Sequence, residues 1–191
     1  MIKKSIVGLV IGISAFSAQA KWAVSQSESS INFVSVKKQH IAEAHHFNAF
    51  AGTLDKSGQF NLAIDLASVD TGIEIRDQRM KNVLFNVGRF ASATIAADVS
   101  KLSLDSLAVG ESLNAQVAAT ITISGIEKAQ TVNIMVTKSS GSSYQVTSTK
   151  PLIIKASDYL LIDGVDKLKS IAKLPSIGYS VPVSFTLTLR Q

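Results

Sequence analysis

A strict two-residue alternation near the C-terminus constrains the fold of this chain more than any other feature. Apolar side chains occupy successive odd positions, and small or polar residues fill the positions between them. The apolar set is Ile177, Tyr179, Val181, Val183, Phe185, Leu187 and Leu189. A strand places all of these side chains on one face, whereas a helix would scatter them around its circumference. Pro182 has no backbone N–H for a ladder, so we expect an edge or a bulge there.

Shorter runs of the same alternation recur at residues 60–66, 113–123 and 132–136. Turn signals separate such runs, as in the Gly- and Ser-rich segment 139–143. Apolar stripes with helical spacing occur only within residues 76–87 and 165–174. The pattern predicts an all-β fold, an antiparallel β-barrel of about eight strands with one or two short helices. It leaves open whether the interior is a solid core or holds a small guest.

Residues 1–20 have the pattern of a secretory signal peptide. Lys3 and Lys4 precede an apolar stretch, and Ala18-Gln19-Ala20 offers small residues at both positions that a signal peptidase reads. The stretch is shorter than the about 20 apolar residues that a membrane span needs. We therefore predict cleavage after Ala20, export to the periplasm, and one mature domain over residues 21–191 without stable membrane insertion.

Composition argues against several classes of function. The chain has no cysteine, which excludes thiol catalysis and disulfides. Its formal charge of +5 falls to +3 without Lys3 and Lys4, and the remaining basic residues are scattered, so we expect no nucleic-acid partner. His45 and His46 face opposite sides of a strand and do not easily share an ion, so no metal site is expected. No catalytic motif is present, and we expect a protein that is not an enzyme.

Four sets of residues, in order along the mature chain, resemble the YceI-like family. The first contains a histidine, a phenylalanine pair and a glycine that opens a strand; the second contains an Arg-Asp step, an apolar helix and a following Phe; the third is a strand, a Gly turn and a Lys. In the fourth, Tyr159 replaces the usual Phe. The sets are 38–41 with 46–54, 68–71 with 76–80 and 84–87, 121–128, and 157–160.

The resemblance implies a lipocalin-like barrel, closed partly by helix, around an elongated apolar tunnel. Members of the family are associated with isoprenoid chains, such as polyprenyl lipids or long-tailed quinones. The resemblance therefore favours an occupied tunnel over a solid core. The expected function is that of a periplasmic binding or carrier protein whose ligand is the lipid, with no other cofactor.

An apolar tail needs a lining without unsatisfied donors, and inward-facing aromatic and aliphatic residues meet that need. The candidates are Phe33, Phe47, Phe50, Phe60, Leu84, Phe85, Phe90, Ile121, Ile134 and Phe185. Most of the phenylalanines fall within residues 33–90, which we expect to form the mouth and upper tunnel. A quinone or phosphate head needs polar groups at the mouth, for which the candidates are His40, Arg76, Asp77 and Arg79. Arg76 and Asp77 also have a structural interpretation, as a pair tying the helix to the barrel rim.

Two alternatives stay open at this stage. One is a non-enzymatic envelope stress-response module with a solid core, whose loops bind a protein partner. The other is a small-molecule enzyme acting on a quinone head. The sequence also leaves room for a homodimer.

Overall fold

The alternating segments form antiparallel strands in the computed structural model, which describes residues 20–191. The predicted signal peptide lies outside the described residues except for Ala20, the first residue of β1. The strands are β1 Ala20–Val24, β2 Ser30–Lys37, β3 Ile41–Phe47, β4 Phe50–Asp55, β5 Gln59–Asp65, β6 Val69–Asp70, β7 Ser92–Asp98, β8 Ser112–Ile123, β9 Ile126–Ser140, β10 Ser143–Ser148, β11 Leu152–Lys155 and β12 Ser180–Arg190. The helices are α1 Glu74–Arg79, which continues as a π-helical turn over Met80–Phe85, and α2 Ile162–Ile171.

Eight of these strands close into a ring. Their order is β1-β4-β5-β7-β8-β9-β10-β12, and β12 pairs back to β1 through Ala23 and Arg190. The prediction of an antiparallel barrel of about eight strands with short helices is therefore confirmed.

Strand β12 serves both halves of the barrel. Its C-terminal half lies between β1 and β10, and its N-terminal half lies between β2 and β11. Beyond β2 the sheet continues to β3 and β6, and β6 pairs with β3 alone among the described strands. Hydrogen bonds between β12 and β1 thus close the ring at one end of the barrel. In the other half of the barrel, the sheet formed by β2, β3 and β6 ends in the short strand β6.

Pro182 lies where the pairing between β2 and β12 is interrupted. Regular pairing reaches Val183 opposite Phe33, and it resumes only at an isolated bridge between Lys37 and Ile177. The β12 side uses six residue steps between these pairs (183 − 177) and the β2 side four (37 − 33). The two extra residues lie between Ile177 and Val183, in the stretch that contains Pro182, which has no N–H to donate to β2.

The closed end of the barrel has a packed aromatic core. Trp22 of β1 and Tyr144 of β10 meet edge to face with ring centroids 4.8 Å apart. The Tyr144 hydroxyl donates to the carbonyl of Leu104 at 2.9 Å. Leu104 belongs to one of two short 3₁₀ turns between β7 and β8. These contacts fix the turns as a cap over this end.

Gly52 in β4 explains the glycine of the first family-like set. A Cβ at this position would lie 2.9 Å from the carbonyl oxygen of Asn61 and equally close to the Val24 side chain. Only a glycine therefore lets β1, β4 and β5 pack at this separation.

The first helix differs from its sequence pattern in start and geometry. It begins at Glu74 rather than Arg76, and it continues into a wider turn in which the Asn86 N–H reaches the carbonyl of Lys81, five residues back. A π-turn takes one more residue than an α-turn. The widening brings both Leu84 and Phe85 onto the barrel interior.

Candidate functional site

A cavity of about 490 Å³ fills the half of the barrel that ends in β6. Its walls come from alternate residues of β2, β3, β7, β8 and β12, and α1, the π-turn and α2 cover its side. The volume lies within the range of about 300–1,000 Å³ that is usual for ligand pockets. Most of the lining is aliphatic or aromatic, so over most of its surface the cavity presents no hydrogen-bond donors to an apolar guest.

A second cavity of about 120 Å³ lies deeper, under the cap of the closed end. All of its lining side chains are apolar apart from the Tyr144 hydroxyl, which is bonded to Leu104. The two cavities share a girdle of aliphatic side chains: Ile31, Ile64, Ile95, Ile121, Leu152 and Val183. The girdle therefore lies between a large chamber and a smaller, deeper one.

The polar side chains of the large cavity are gathered at one end. They come from neighbouring strands and the covering helix: Ser35, Lys37, Glu43, His45, Arg76 and Arg79. Glu43 Oε2 accepts from Lys37 Nζ at 2.7 Å and from Arg76 Nη1 at 2.9 Å. The hydrogen bond from Lys37 and the charge of Arg76 hold the pKa of Glu43 below its usual value. This carboxylate is thus ionised and shared between two cations.

His45 is buried at the same end, with 3 % of its surface exposed. Its Nε2 lies 2.9 Å from Ser35 Oγ, and its Nδ1 has no hydrogen-bond partner among the described residues. Burial, followed by the positive charge of Arg76, lowers the pKa of His45 below 6.5. The ring is therefore neutral near pH 7 and retains one nitrogen for a hydrogen bond.

The sequence profile of the YceI-like domain matches residues 22–189. The chain belongs to the YceI-like family. A comparison with curated proteins gave no match.

Three solved structures have a similar fold. A polyisoprenoid binding domain from Saccharophagus degradans implicated in plant cell wall breakdown is 35 % identical, with a TM-score of 0.88 over 90 % of this chain and 99 % of that one. BcnA of Burkholderia cenocepacia is 21 % identical, with a TM-score of 0.64 over 86 % and 98 %. The Campylobacter jejuni YCEI protein is 13 % identical, with a TM-score of 0.54 over 77 % and 84 %. The last two likenesses concern the fold alone.

The sequence-based candidates for the tunnel divide between the two cavities. Those on the large cavity are Phe33, Phe47, Leu84, Phe85 and Ile121; those on the small one are Phe60, Ile121, Ile134 and Phe185. Phe33 and Phe47 pack with ring centroids 5.3 Å apart, and Phe85 lies 6.1 Å beyond Phe47. These three rings form a continuous aromatic wall on the large cavity. All three belong to residues 33–90, the part of the chain that we expected to form the mouth and upper tunnel.

Phe50 and Phe90 lie on neither cavity. Phe50 is buried in a packed cluster with Leu62 and Leu187. Phe90 packs under the turn between β8 and β9, where a Cβ on Gly125 would approach its ring to 3.2 Å. Their side chains pack within the sheet and under its turn. Hydrophobicity alone does not distinguish a phenylalanine that packs in this way from one that lines a cavity.

The candidates for the polar mouth also divide. Arg76 and Arg79 line the cavity, whereas His40 lies exposed in the turn between β2 and β3 and outside the lining. Asp77 lies outside the lining too and accepts hydrogen bonds from the backbone N–H and the hydroxyl of Thr71. Arg76 donates to the same Thr71, from Nε to the hydroxyl at 2.8 Å and from Nη2 to the carbonyl at 2.6 Å. Arg76 and Asp77 thus tie α1 to the rim through Thr71.

Several lining residues were missed from the sequence. Glu43 and His45 precede Phe47 by four and two positions on β3, so the strand period places all three on one face. Extending the alternation from Phe47 and Phe33 would have found the polar end. The α2 side chains Val165 and Leu168 also line the cavity. Their helical stripe was recognised, but nothing in the sequence says which surface it covers.

The described residues contain no group of three or more His, Cys, Asp or Glu side chains placed to hold a metal. Within residues 20–191 no helix has the length and apolar character needed to cross a bilayer.

Proposed function

We propose that this YceI-like protein is a periplasmic carrier that holds an isoprenoid-type lipid, a polyprenyl lipid or a long-tailed quinone, inside the barrel. One observation carries the proposal: the barrel encloses an apolar chamber whose polar side chains all lie at one end. That distribution matches a ligand with a long apolar tail and one polar head. The Saccharophagus degradans domain, 35 % identical, is described as polyisoprenoid binding, which supports this ligand class.

Burial of the tail supplies the affinity. Removing apolar carbon from water stabilises by about 0.8 kcal/mol per CH₂, so an isoprene unit of about five carbons contributes about 4 kcal/mol before ordering costs. The large chamber would bury a few such units. The aromatic wall of Phe33, Phe47 and Phe85 would contact the tail beneath the head.

The head would lie at the polar end. Glu43 is already shared by Lys37 and Arg76, so it offers little repulsion to an acceptor. Arg79 supplies additional guanidinium donors on the same wall, and the neutral His45 ring supplies a single hydrogen bond. These groups suit a quinone carbonyl or a phosphate oxygen. Their role is to orient the lipid rather than to transform it, so we propose binding without turnover and without a further cofactor.

The ligand test is native mass spectrometry of protein purified from the periplasm, followed by lipid extraction. We expect a co-purified isoprenoid of unchanged mass, and an N-terminus at Lys21. Protein that is free of lipid and fails to take up added solanesol would instead support the module that binds a protein partner. Turnover of the recovered head group would support the enzyme.

A substitution on β7 tests the location. Ala93 is buried and lines the large cavity, whereas Ala96, on the same strand, is exposed. Ala93→Phe fills the chamber without burying a charge, and we expect it to lower solanesol binding by about tenfold or more. Ala96→Phe makes the same chemical change outside and should bind like the wild type. Equal binding by both folded variants would place the lipid elsewhere.

A further inference from the structure

Three segments surround the open end of the large cavity, and together we call them the mouth rim. They are the turn between β2 and β3 with its flanking residues (residues 37–43), α1 with Ile73 before it (residues 73–79) and the segment after α2 (residues 172–177). Each contributes side chains to the cavity wall. The first and third are joined where the Lys38 N–H donates to the carbonyl of Ser176 at 3.1 Å. The rim is therefore a connected surface around the entrance.

The mouth rim exposes apolar side chains that also line the cavity. Ile73 is 47 % exposed and Ile75 is 57 % exposed, and both belong to the wall of the chamber. Ala172, on the third segment, is likewise exposed and part of the wall. Apolar surface thus continues from the chamber out to solvent. Exposed isoleucines at the entrance of an apolar chamber favour contact with another apolar phase.

The charge of the mouth rim is predominantly positive. Lys38 and Lys173 are exposed, and Arg79 lies at the entrance. Of the acidic residues of the rim, Glu43 is bonded to two cations and Asp77 to Thr71, and Glu74 remains exposed. Basic side chains around a small apolar surface are the combination with which peripheral proteins bind anionic lipid headgroups.

We propose that the mouth rim docks reversibly on a phospholipid bilayer with an anionic surface. In the docked state Ile73 and Ile75 enter the boundary between headgroups and acyl chains, and Lys38 and Lys173 contact lipid phosphates. The chamber then opens toward the acyl region, so that a lipid tail passes between bilayer and barrel without crossing water. The docking surface is independent of which lipid the chamber carries.

Flotation of the full mature protein with vesicles tests the proposal. We expect binding to vesicles of phosphatidylglycerol and phosphatidylcholine, and weaker binding to phosphatidylcholine alone or at high salt. Each lysine near an anionic surface contributes about a fivefold change in partitioning, so Lys38→Gln/Lys173→Gln should reduce binding by about 25-fold. Ile73→Ser/Ile75→Ser should reduce it by about tenfold or more. Val109→Ser is the control, since Val109 is 63 % exposed in the loop before β8, at the capped end.

A second measurement reports which surface faces the bilayer. Because the chain has no cysteine, the variants Ile75→Cys and Val109→Cys each have a single thiol, which can be labelled with one environment-sensitive dye. We expect a blue shift on anionic vesicles from position 75 and none from position 109. Equal shifts at the two positions, no binding to anionic vesicles, or unchanged binding by folded Ile73→Ser/Ile75→Ser would overturn the proposal.

Failure of docking and failure of lipid carriage are distinguishable. Lys38 and Lys173 do not line either cavity, so Lys38→Gln/Lys173→Gln should take up solanesol from detergent like the wild type. Normal uptake with lost flotation supports docking as a separate property. Loss of uptake together with loss of flotation contradicts it, because the two lysines would then act on the chamber itself.

Discussion

Ile95 of β7 offers a direct test of the narrowing between the two chambers. Its side chain borders both cavities and belongs to the aliphatic girdle. Ile95→Ala removes three carbons from this constriction and should join the chambers. Core Ile→Ala substitutions cost about 2–5 kcal/mol. Because Ile95 already faces open space on two sides, we expect the low end, about 2 kcal/mol.

The expected loss of stability translates into a measurable shift. For a domain of this size 1 kcal/mol corresponds to about 2–4 °C in Tm, so delipidated Ile95→Ala should melt about 4–8 °C below the wild type. Scanning calorimetry measures this value. Ile153→Ala on β11 is a matched control, because Ile153 is exposed and lines neither cavity. It should change stability by about 0.5 kcal/mol or less.

The functional consequence is a change in preferred tail length. A joined chamber buries more of a long tail, and each further isoprene unit contributes up to about 4 kcal/mol. We therefore expect Ile95→Ala to increase binding of solanesol over farnesol by about tenfold or more, measured by competition in native mass spectrometry. An unchanged preference in a folded variant with the expected fall in Tm would refute the idea that this girdle limits the tail.

Two further predictions concern a buried aromatic side chain and a surface ion pair. Phe85→Asp places an unpaired carboxylate in the apolar wall and should abolish lipid co-purification, at a stability cost of about 3 kcal/mol or more, whereas Lys167→Ala should leave both unchanged; denaturant unfolding and native mass spectrometry measure the two effects. The hydrogen bond from Arg190 lowers the pKa of Glu28 from 4.5 to about 2. Since this pKa is depressed in the folded state, the pair stabilises above pH 4.5, and its contribution is lost as pH falls toward 2. Arg190→Gln should return the Glu28 pKa toward its ordinary value, and carboxyl NMR titration that found no rise would contradict the assignment.

The fold was predictable because strand periodicity is a local property of the sequence. The odd-numbered run through Val183 and Phe185 places its side chains on one face of β12, and both residues do line the interior. The resemblance to the YceI-like family then supplied the expectation of a hollow interior, which alternation alone left open.

The candidate site was less predictable, for two physical reasons. Hydrophobicity does not distinguish a side chain that borders a cavity from one that is packed on all sides, so Phe50 and Phe85 look alike in the sequence. The polar end depends on long-range juxtaposition. Glu43 meets Arg76 at 2.9 Å although 33 positions separate them. Neither the π-turn nor the placement of α2 follows from a 3.6-residue period.

The short free strand β6 has a consequence for loading. Because β6 pairs with β3 alone among the described strands, its other edge has no ladder hydrogen bonds. We call this edge, which lies beside the large chamber and is closed by side-chain packing, the seam. Such a seam can widen while the eight-strand ring keeps every hydrogen bond, which would let the chamber wall beside β6 adjust to a bulky guest that enters at the mouth rim. Amide hydrogens of β3 and β6 should then exchange faster than those in the C-terminal half of β12, and a guest wedged in the chamber should slow them.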